Sequence, residues 1–191
     1  MVDTTLGYYK LYEDAIEPKF STTGSACFDL FAYFPITWSH YPNDRTDDLE
    51  PPTVTVWTAD NQEEKRKGAQ KFYGMEPSPM ITLNPGERAL IPTGLILDIP
   101  EGYSVRLHTR SSTSLKRGLI MPNGEGIIDS DYYHECFMML LNVSDVPVDI
   151  KSGEKICQAE LVKTVDFYLT ESTIEPKQTT ERVGGFGSTG V

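Results

Sequence analysis

Short runs of apolar residues alternate with turn-forming residues along most of this chain. From residue 81 onward, the runs are rich in Ile, Leu and Val. Turns are indicated by Gly, Pro, Asn, Asp and Ser at residues 84–86, 100–102, 123–124, 144–145 and 151–153. Short strands at regular spacing are typical of a β-sandwich or a β-barrel.

The clearest predicted strands are residues 88–99, 103–109, 135–143 and 155–165. One segment, residues 111–117, follows an extended run and ends at Gly118, which predicts a short helical turn. The pattern therefore predicts an all-β fold with little helix.

Residues 35–80 do not follow this alternation of apolar runs and turns. They are rich in Pro, Asp, Glu, Lys and Gln, with one strand-like run at residues 53–58, and are too long for an ordinary connection. One interpretation is a solvated, partly ordered insertion. The other is a docking arm for an unknown protein partner, because Trp38, Trp57, Phe72 and Tyr73 are unusual in a disordered segment.

Length and charge limit the classes of function. The 191 residues fit one domain, 1–191, containing the insertion. The net charge of −11 argues against binding to a nucleic-acid backbone, so any nucleotide partner is expected to be a free one. A polyanionic ligand then needs a local cluster of donors or a divalent metal.

Targeting signals and clustered metal ligands are not evident. No run approaches the ~20 apolar residues that a membrane span needs, and the first residues lack a signal-peptide pattern. We therefore expect a cytoplasmic protein, or one in the host cytoplasm if it is viral, without a membrane partner. The three cysteines and three histidines match no disulfide framework or zinc spacing.

An anion site is predicted where a strand runs into the helical turn. Arg110, Ser111 and Ser112 stand at this junction, and the free N–H groups of a helix start attract phosphate. The alternative is an ordinary serine cap with a surface arginine. Gln158, an amide among apolar neighbours, is by itself most often an ordinary strand residue.

A general base is predicted near the end of a later strand. Asp129 and Asp131 follow two isoleucines, at alternate positions that point the same way. Asp129 is well placed to activate water, although a turn aspartate is the alternative. Just upstream, Asn123 and Gly124 predict a β-hairpin whose backbone donors and acceptors suit the edge of a nucleobase.

The last ten residues combine four glycines with an arginine, an aromatic ring and two hydroxyls. Taken alone, such a segment is more often a flexible tail than a phosphate-binding one. Its side chains are nevertheless those that bind phosphate oxygens well.

Five segments, in order, resemble the five motifs of the trimeric dUTPase family. They are residues 25–32, 110–116, 123–132, 153–158 and 182–190. One segment alone is a weak signal, whereas five in register are strong. The resemblance covers residues 7–34 and 80–191. It implies a distorted jelly-roll-like β-barrel with a short helix, assembled as a homotrimer with shared active sites.

The resemblance also implies an activity, the hydrolysis of the small molecule dUTP to dUMP and pyrophosphate. Asp129 would orient and deprotonate the attacking water. Tyr132 would pack under the deoxyribose and leave no space for a 2′-hydroxyl. Asn123 and Gly126 would bind the uracil.

The remaining motif residues would hold the phosphates. Arg110, Ser111, Ser112 and Gln158 would hold the phosphate chain together with Mg²⁺, which is bound mainly by phosphate oxygens and water. Asp29 would contact the metal or make a structural hydrogen bond. Residues 181–191 would form a flexible lid that uses the substrate-binding residues Arg182, Phe186, Gly187, Ser188 and Thr189.

Some positions depart from the family pattern. Cys27 stands where glycine is common, Thr109 where proline is usual, and Tyr133 and His134 where Arg-Gly is usual. These changes bear on the backbone conformation near Cys27 and on the subunit packing near Tyr133, and none of them removes a proposed catalytic group.

Two alternative functions stay open. A dCTP deaminase shares the implied fold and an Arg-Ser-Ser segment, but Met139 stands where that family places its glutamate proton shuttle. The other is a nucleotide-binding trimer that uses the insertion to bind a protein.

Overall fold

The computed structural model describes residues 4–34, 37–38, 49–50, 53–67, 69–73 and 76–181. In chain order its elements are β1 (Gly7–Lys10), β2 (Lys19–Phe20), β3 (Phe28–Phe31), β4 (Thr37–Trp38), β5 (Leu49–Glu50), β6 (Thr53–Trp57), β7 (Glu63–Lys67), β8 (Ala69–Tyr73), β9 (Glu76–Leu83), β10 (Arg88–Pro92), β11 (Leu95–Asp98), β12 (Tyr103–Thr109), α1 (Ser111–Arg117), β13 (Leu119–Ile120), β14 (Gly126–Asp129), β15 (Phe137–Asn142), β16 (Val148–Lys151) and β17 (Lys155–Lys163).

Two five-stranded antiparallel sheets contribute most of the core. Their strand orders are β13-β15-β10-β6-β7 and β14-β12-β17-β3-β2, and their inward side chains join one apolar cluster. Smaller sheets pair β1 with β11, β9 with β16 and β8, and β4 with β5. The all-β, jelly-roll-like prediction is confirmed, and the described sheets wrap the core without closing into a barrel.

The predicted strand over residues 88–99 is two strands, β10 and β11, separated at Thr93 and Gly94. Gly94 has φ of 70°, which favours glycine. A Cβ there would lie 2.8 Å from the Tyr33 ring. Because β10 pairs with β15 and β11 pairs with β1, this break moves the chain from one sheet to another.

The predicted helical turn is confirmed as α1. It ends at Gly118, whose φ of 64° is left-handed and whose N–H donates to the Ser114 carbonyl oxygen. This is the usual way in which a glycine ends a helix.

The turn at Asn123 and Gly124 is present, but the predicted hairpin is wrong. The Gly124 N–H donates to the Met121 carbonyl oxygen over 3.0 Å. The flanking strands do not pair with each other, since β13 pairs with β15 and β14 pairs with β12. The turn therefore carries the chain between the two large sheets.

Much of the described part of residues 35–80 is strand. Strands β6 and β7 form a hairpin, and β6 extends the sheet beside β10. Val54 and Val56 of β6 are 3% and 0% exposed and belong to the core. This hairpin is therefore part of the folded body, whereas the boundaries 35–80 and a partner for this segment stay predictions. In the described ranges, no helical segment has the length and hydrophobicity that a membrane span requires.

An ion pair joins this hairpin to the turn between β9 and β10. Arg66 of β7 donates from Nη2 to Oε1 of Glu87 over 2.7 Å, and the Asn84 N–H donates to Oε2 over 2.8 Å. The Glu87 side chain is 8% exposed. The hydrogen bonds from Arg66, together with those from Asn84, lower the pKa of Glu87 to about 2, although burial acts in the opposite direction.

The Arg66–Glu87 ion pair predicts that the folded protein loses stability in acid. Because the pKa is lowered on folding, the stabilisation is complete above the ordinary glutamate pKa of about 4.3 and is lost as the pH falls towards 2. Between pH 7 and pH 3 we expect the wild type to lose about 2 kcal/mol more unfolding free energy than Glu87→Gln. Urea unfolding at each pH and at fixed protein concentration measures this difference. An equal loss of unfolding free energy between pH 7 and pH 3 in the wild type and in Glu87→Gln would contradict a stabilising role for the Arg66–Glu87 ion pair.

Candidate active site

A cavity of 290 Å³ opens beside the turn that precedes β14. Its polar lining comes from Asn123, Asp129 and Tyr132, and Gly126 forms part of its wall. The apolar lining consists of Leu90, Leu107, Met121, Ile127, Ile128, Phe137 and Met139. The structure thus brings four predicted site residues together in one place, here called the Asp129 pocket.

Gly126 shapes this pocket by its lack of a side chain. It starts β14 and is buried. A Cβ at this position would lie 3.0 Å from Leu107 Cβ and 3.0 Å from Met121 Cε. Since Leu107 is its partner on β12, a larger residue would push the two strands apart or fill the cavity.

Tyr132 closes one side of the pocket. Its N–H donates to the Asp129 carbonyl oxygen over 3.2 Å, and its hydroxyl donates to the Glu135 carbonyl oxygen over 3.1 Å. The residue is 38% exposed, and its ring meets His134 edge-on, with centroids 5.6 Å apart. The ring is therefore held at the cavity wall with one surface available.

Asp129 ends β14 and is exposed. Its partner on β12 is Ser104, and cross-strand partners point to the same face of a sheet. Ser104 is 2% exposed, and its Oγ is buried without a hydrogen-bond partner within the described part of the chain. The Asp129 carboxylate and the Ser104 hydroxyl therefore lie on the same face of this strand pair, and Ser104 does not line the pocket.

A second group of polar residues forms around Asp29. Its Oδ1 lies 3.0 Å from Arg110 Nε. Its Oδ2 accepts hydrogen bonds from Lys155 Nζ over 2.7 Å and from Ser21 Oγ over 2.6 Å. The Asp29 side chain is 7% exposed, so this Asp29 cluster (Ser21, Asp29, Arg110 and Lys155) is built around a buried carboxylate.

The charge of Asp29 is maintained by these partners. Burial raises the pKa of Asp29, but hydrogen bonds from Lys155 and Ser21, with the charges of Arg110 and Lys155, bring it below its usual value. Of the two roles open for Asp29, the structure shows the hydrogen-bonded one, and the metal contact stays a prediction. The described residues contain no group of three His, Cys, Asp or Glu side chains placed to hold a metal.

The other predicted phosphate-binding residues lie beside this cluster. Ser111 and Ser112 begin α1 directly after Arg110, and both are exposed. Gln158 of β17 is paired with Asp29 on β3 and with His108 on β12. These strand pairings bring residues 29, 110–112 and 158 to the same end of the sheet.

The Asp129 carboxylate and Arg110 lie towards opposite ends of β12 within one chain. Ser104, the partner of Asp129, lies near the start of β12, and Arg110 lies just beyond its end. At about 3.3 Å per residue, the six residue-to-residue steps from Ser104 to Arg110 span about 20 Å. One chain therefore does not bring the carboxylate and the arginine to a common ligand.

The sequence that forms most of these elements matches one known family. The family model described as dUTPase matches residues 74–190, more than half of the chain. The chain belongs to the dUTPase family.

Curated relatives agree with this assignment. The deoxyuridine 5′-triphosphate nucleotidohydrolase of Rhizobium rhizogenes is 39% identical over 117 residues, covering 61% of this chain and 74% of that protein. The protein of the same name from Methylocella silvestris is 40% identical over 123 residues, covering 64% of this chain and 76% of that protein.

Solved dUTPase structures share the fold. A mutant dUTPase of Staphylococcus bacteriophage 80alpha, solved with dUpNHpp, has a TM-score of 0.67 at 20% identity, covering 98% of this chain and 99% of that chain. The dUTPase of Streptococcus mutans has a TM-score of 0.57 at 20% identity, covering 85% of this chain and 98% of that chain. A mutant dUTPase from Staphylococcus aureus phage phi11, described with a structural Mg(II) ion, has a TM-score of 0.58 at 20% identity, covering 90% and 99%.

Three residues next to the predicted dUTPase site were missed from the sequence: Ser21, Ser104 and Lys155. Lys155 lies in one of the five motif segments, but the alternation along a strand does not show which distant carboxylate a lysine meets. The predicted residues Arg182, Phe186, Gly187, Ser188 and Thr189 lie outside the described residues.

Proposed function

We propose that this chain hydrolyses dUTP to dUMP and pyrophosphate. The observation that carries the proposal is the Asp129 pocket, in which a cavity of 290 Å³ brings together Asn123, Tyr132 and the carboxylate of Asp129. The family assignment and the relatives' names point to the same substrate.

In this proposal Asp129 is the general base. It accepts a proton from a water molecule while the water oxygen attacks the α-phosphorus of dUTP. The bond from that phosphorus to the bridging oxygen breaks, and pyrophosphate leaves with the bonding electrons. An exposed carboxylate at a strand end suits this role because water reaches it freely.

The pocket selects the base and the sugar. Asn123 and the backbone of its turn bind the edge of uracil, and Gly126 leaves room for the ring. Cytosine presents mismatched donors and acceptors, and the methyl group of thymine meets a tight wall. Tyr132 packs under the deoxyribose, where a 2′-hydroxyl has no space.

The Asp29 cluster and its neighbours hold the triphosphate. Arg110 uses Nε for Asp29, which leaves its terminal nitrogens for phosphate oxygens. Ser111, Ser112 and Gln158 supply further hydrogen bonds. Magnesium prefers oxygen ligands and often keeps several waters.

Asp29 is a poor direct ligand for Mg²⁺ because both of its oxygens already bind cations. We therefore propose that Mg²⁺ reaches the site with the substrate phosphates and shares their charge. Its ligands are then mainly phosphate oxygens and water.

We further propose a homotrimer in the cytoplasm, with each site built from more than one chain. The separation of about 20 Å between Asp129 and Arg110 supports this, since both must act on one phosphate chain. After β17 the chain runs on with Val165, Phe167, Tyr168 and Leu169 between 73% and 97% exposed, which suits burial against another copy. Residues 181–191 then serve as a lid over a neighbouring site.

An assay of dUTP, dCTP and dTTP with Mg²⁺, following pyrophosphate and ammonia separately, tests the substrate and the reaction. We expect pyrophosphate from dUTP, no ammonia from dCTP, and at least about a hundredfold lower kcat/KM for the two other nucleotides. Met139 lines the pocket and carries no proton for deamination. Ammonia release from dCTP would replace the proposal by the deaminase reaction.

A further inference from the structure

The Asp29 cluster contains one more positive charge than its carboxylate neutralises. Arg110 and Lys155 carry two positive charges, and Asp29 carries one negative charge. We propose that Lys155 is a positioning residue for the dUTPase site, which binds Asp29 so that the charge and the terminal nitrogens of Arg110 stay available to the triphosphate. This inference rests on the proposed function.

The two oxygens of the Asp29 carboxylate contact different partners. Oδ1 faces Arg110 Nε at 3.0 Å, and Oδ2 receives Lys155 Nζ at 2.7 Å and Ser21 Oγ at 2.6 Å. Lys155 Nζ also donates to Ser21 Oγ over 3.1 Å. Because Oδ2 is occupied by Lys155 and Ser21, Arg110 pairs with the other oxygen, Oδ1, with its Nε at 3.0 Å.

Removal of Lys155 changes this division. A buried carboxylate left with one cation gains most by pairing with both nitrogens of a guanidinium edge. Such pairing turns Arg110 towards Asp29 and cancels its charge. The triphosphate then loses one oriented hydrogen-bond donor and the attraction of one positive charge.

The side chain of Lys155 is itself held in place. Its Nζ lies 5.9 Å from the centroid of the Phe31 ring, and the side chain is 38% exposed. Phe31 belongs to β3, the strand that also contains Asp29. The ammonium is thus directed to the carboxylate from a fixed surface.

Lys155→Met tests the proposal, with Lys163→Met as the matched control on an exposed position of the same strand. For Lys155→Met we expect KM for dUTP to rise about tenfold and kcat to change less than about threefold, because the ground state and the transition state lose the same contact. The Kd for a non-hydrolysable imido analogue of dUTP rises in parallel. Inhibition by deoxyuridine, which has no phosphate, stays unchanged.

The conservative variant separates positioning from folding. Lys155→Arg keeps the charge and restores KM to within about threefold of the wild type. Thermal unfolding identifies any variant that is not folded. If Lys155→Met is not folded, Ser21→Ala replaces it as the test, because it keeps both positive charges, and we expect it to raise KM about twofold. A lowered Tm in every variant without any change in KM or Kd would overturn the proposal.

A double-mutant cycle with Asp29→Asn distinguishes action through Asp29 from direct contact with phosphate. In the Asp29→Asn background we expect Lys155→Met to change the analogue Kd by less than about twofold. The same tenfold loss in both backgrounds would show direct phosphate binding and overturn the proposal. If the wild type releases no pyrophosphate from dUTP, the proposed function fails, while analogue binding still decides the role of Lys155.

Discussion

Asp129→Asn is expected to abolish most pyrophosphate release while the protein still binds nucleotide. The amide keeps the shape of the side chain but does not accept a proton, so kcat falls by about 10²–10⁴-fold. Binding of the imido analogue of dUTP remains within about threefold, since a negative charge beside a triphosphate does not favour binding. Steady-state turnover and calorimetric binding on the same preparation measure both effects.

Asp131→Asn is the matched control for this prediction. Asp131 lies two residues beyond Asp129 and does not line the pocket. We expect its kcat to remain within about threefold of the wild type. Near-normal turnover of Asp129→Asn would contradict the general-base assignment.

Mixed trimers of Asp129→Asn and Arg110→Met are expected to regain activity that neither variant has alone. Arg110→Met removes a phosphate contact, yet Asp29 keeps Lys155 and Ser21 as partners, so the fold is preserved. If Asp129 of one chain and Arg110 of another complete each site, a mixed trimer contains one intact site.

Because each closed ring contains three equivalent interfaces, random 1:1 assembly recovers about one quarter of the wild-type sites, and the isolated mixed trimers have about one third. Co-expression with two affinity tags isolates the mixed trimers, and solution mass verifies their size. Activity no higher than the sum of the two parent variants would show that one chain contains a whole site. Such a result would also contradict the estimate of about 20 Å along β12.

Local sequence signals were reliable where one short segment decides the structure. The helix Ser111–Arg117 and its end at Gly118 follow from helix-ending rules. Strand β12 follows from alternation, since Val105 and Leu107 are buried in the core. The candidate site residues stood in motif segments, so their order along the chain was sufficient to name them.

Signals that depend on a distant partner were not sufficient. The Asn123–Gly124 turn predicted a hairpin, but its two flanking strands join different sheets. The hairpin at residues 53–67 looked solvated because its polar residues outnumber Val54 and Val56, which are buried. Which strands pair with each other depends on residues that are far apart along the chain, whereas the local pattern shows only which face of a strand is apolar.

The sequence by itself determined the fold class, the helix, the turns and the set of catalytic candidates, because each depends on residues that are close along the chain. The tertiary structure decided the partners. It placed Ser21, Asp29, Arg110 and Lys155 in one cluster and separated that cluster from Asp129. The ion pair between Asp29 and Lys155 joins residues 126 positions apart, so it depends on how the strands of the sheet are paired, and no local pattern records that pairing.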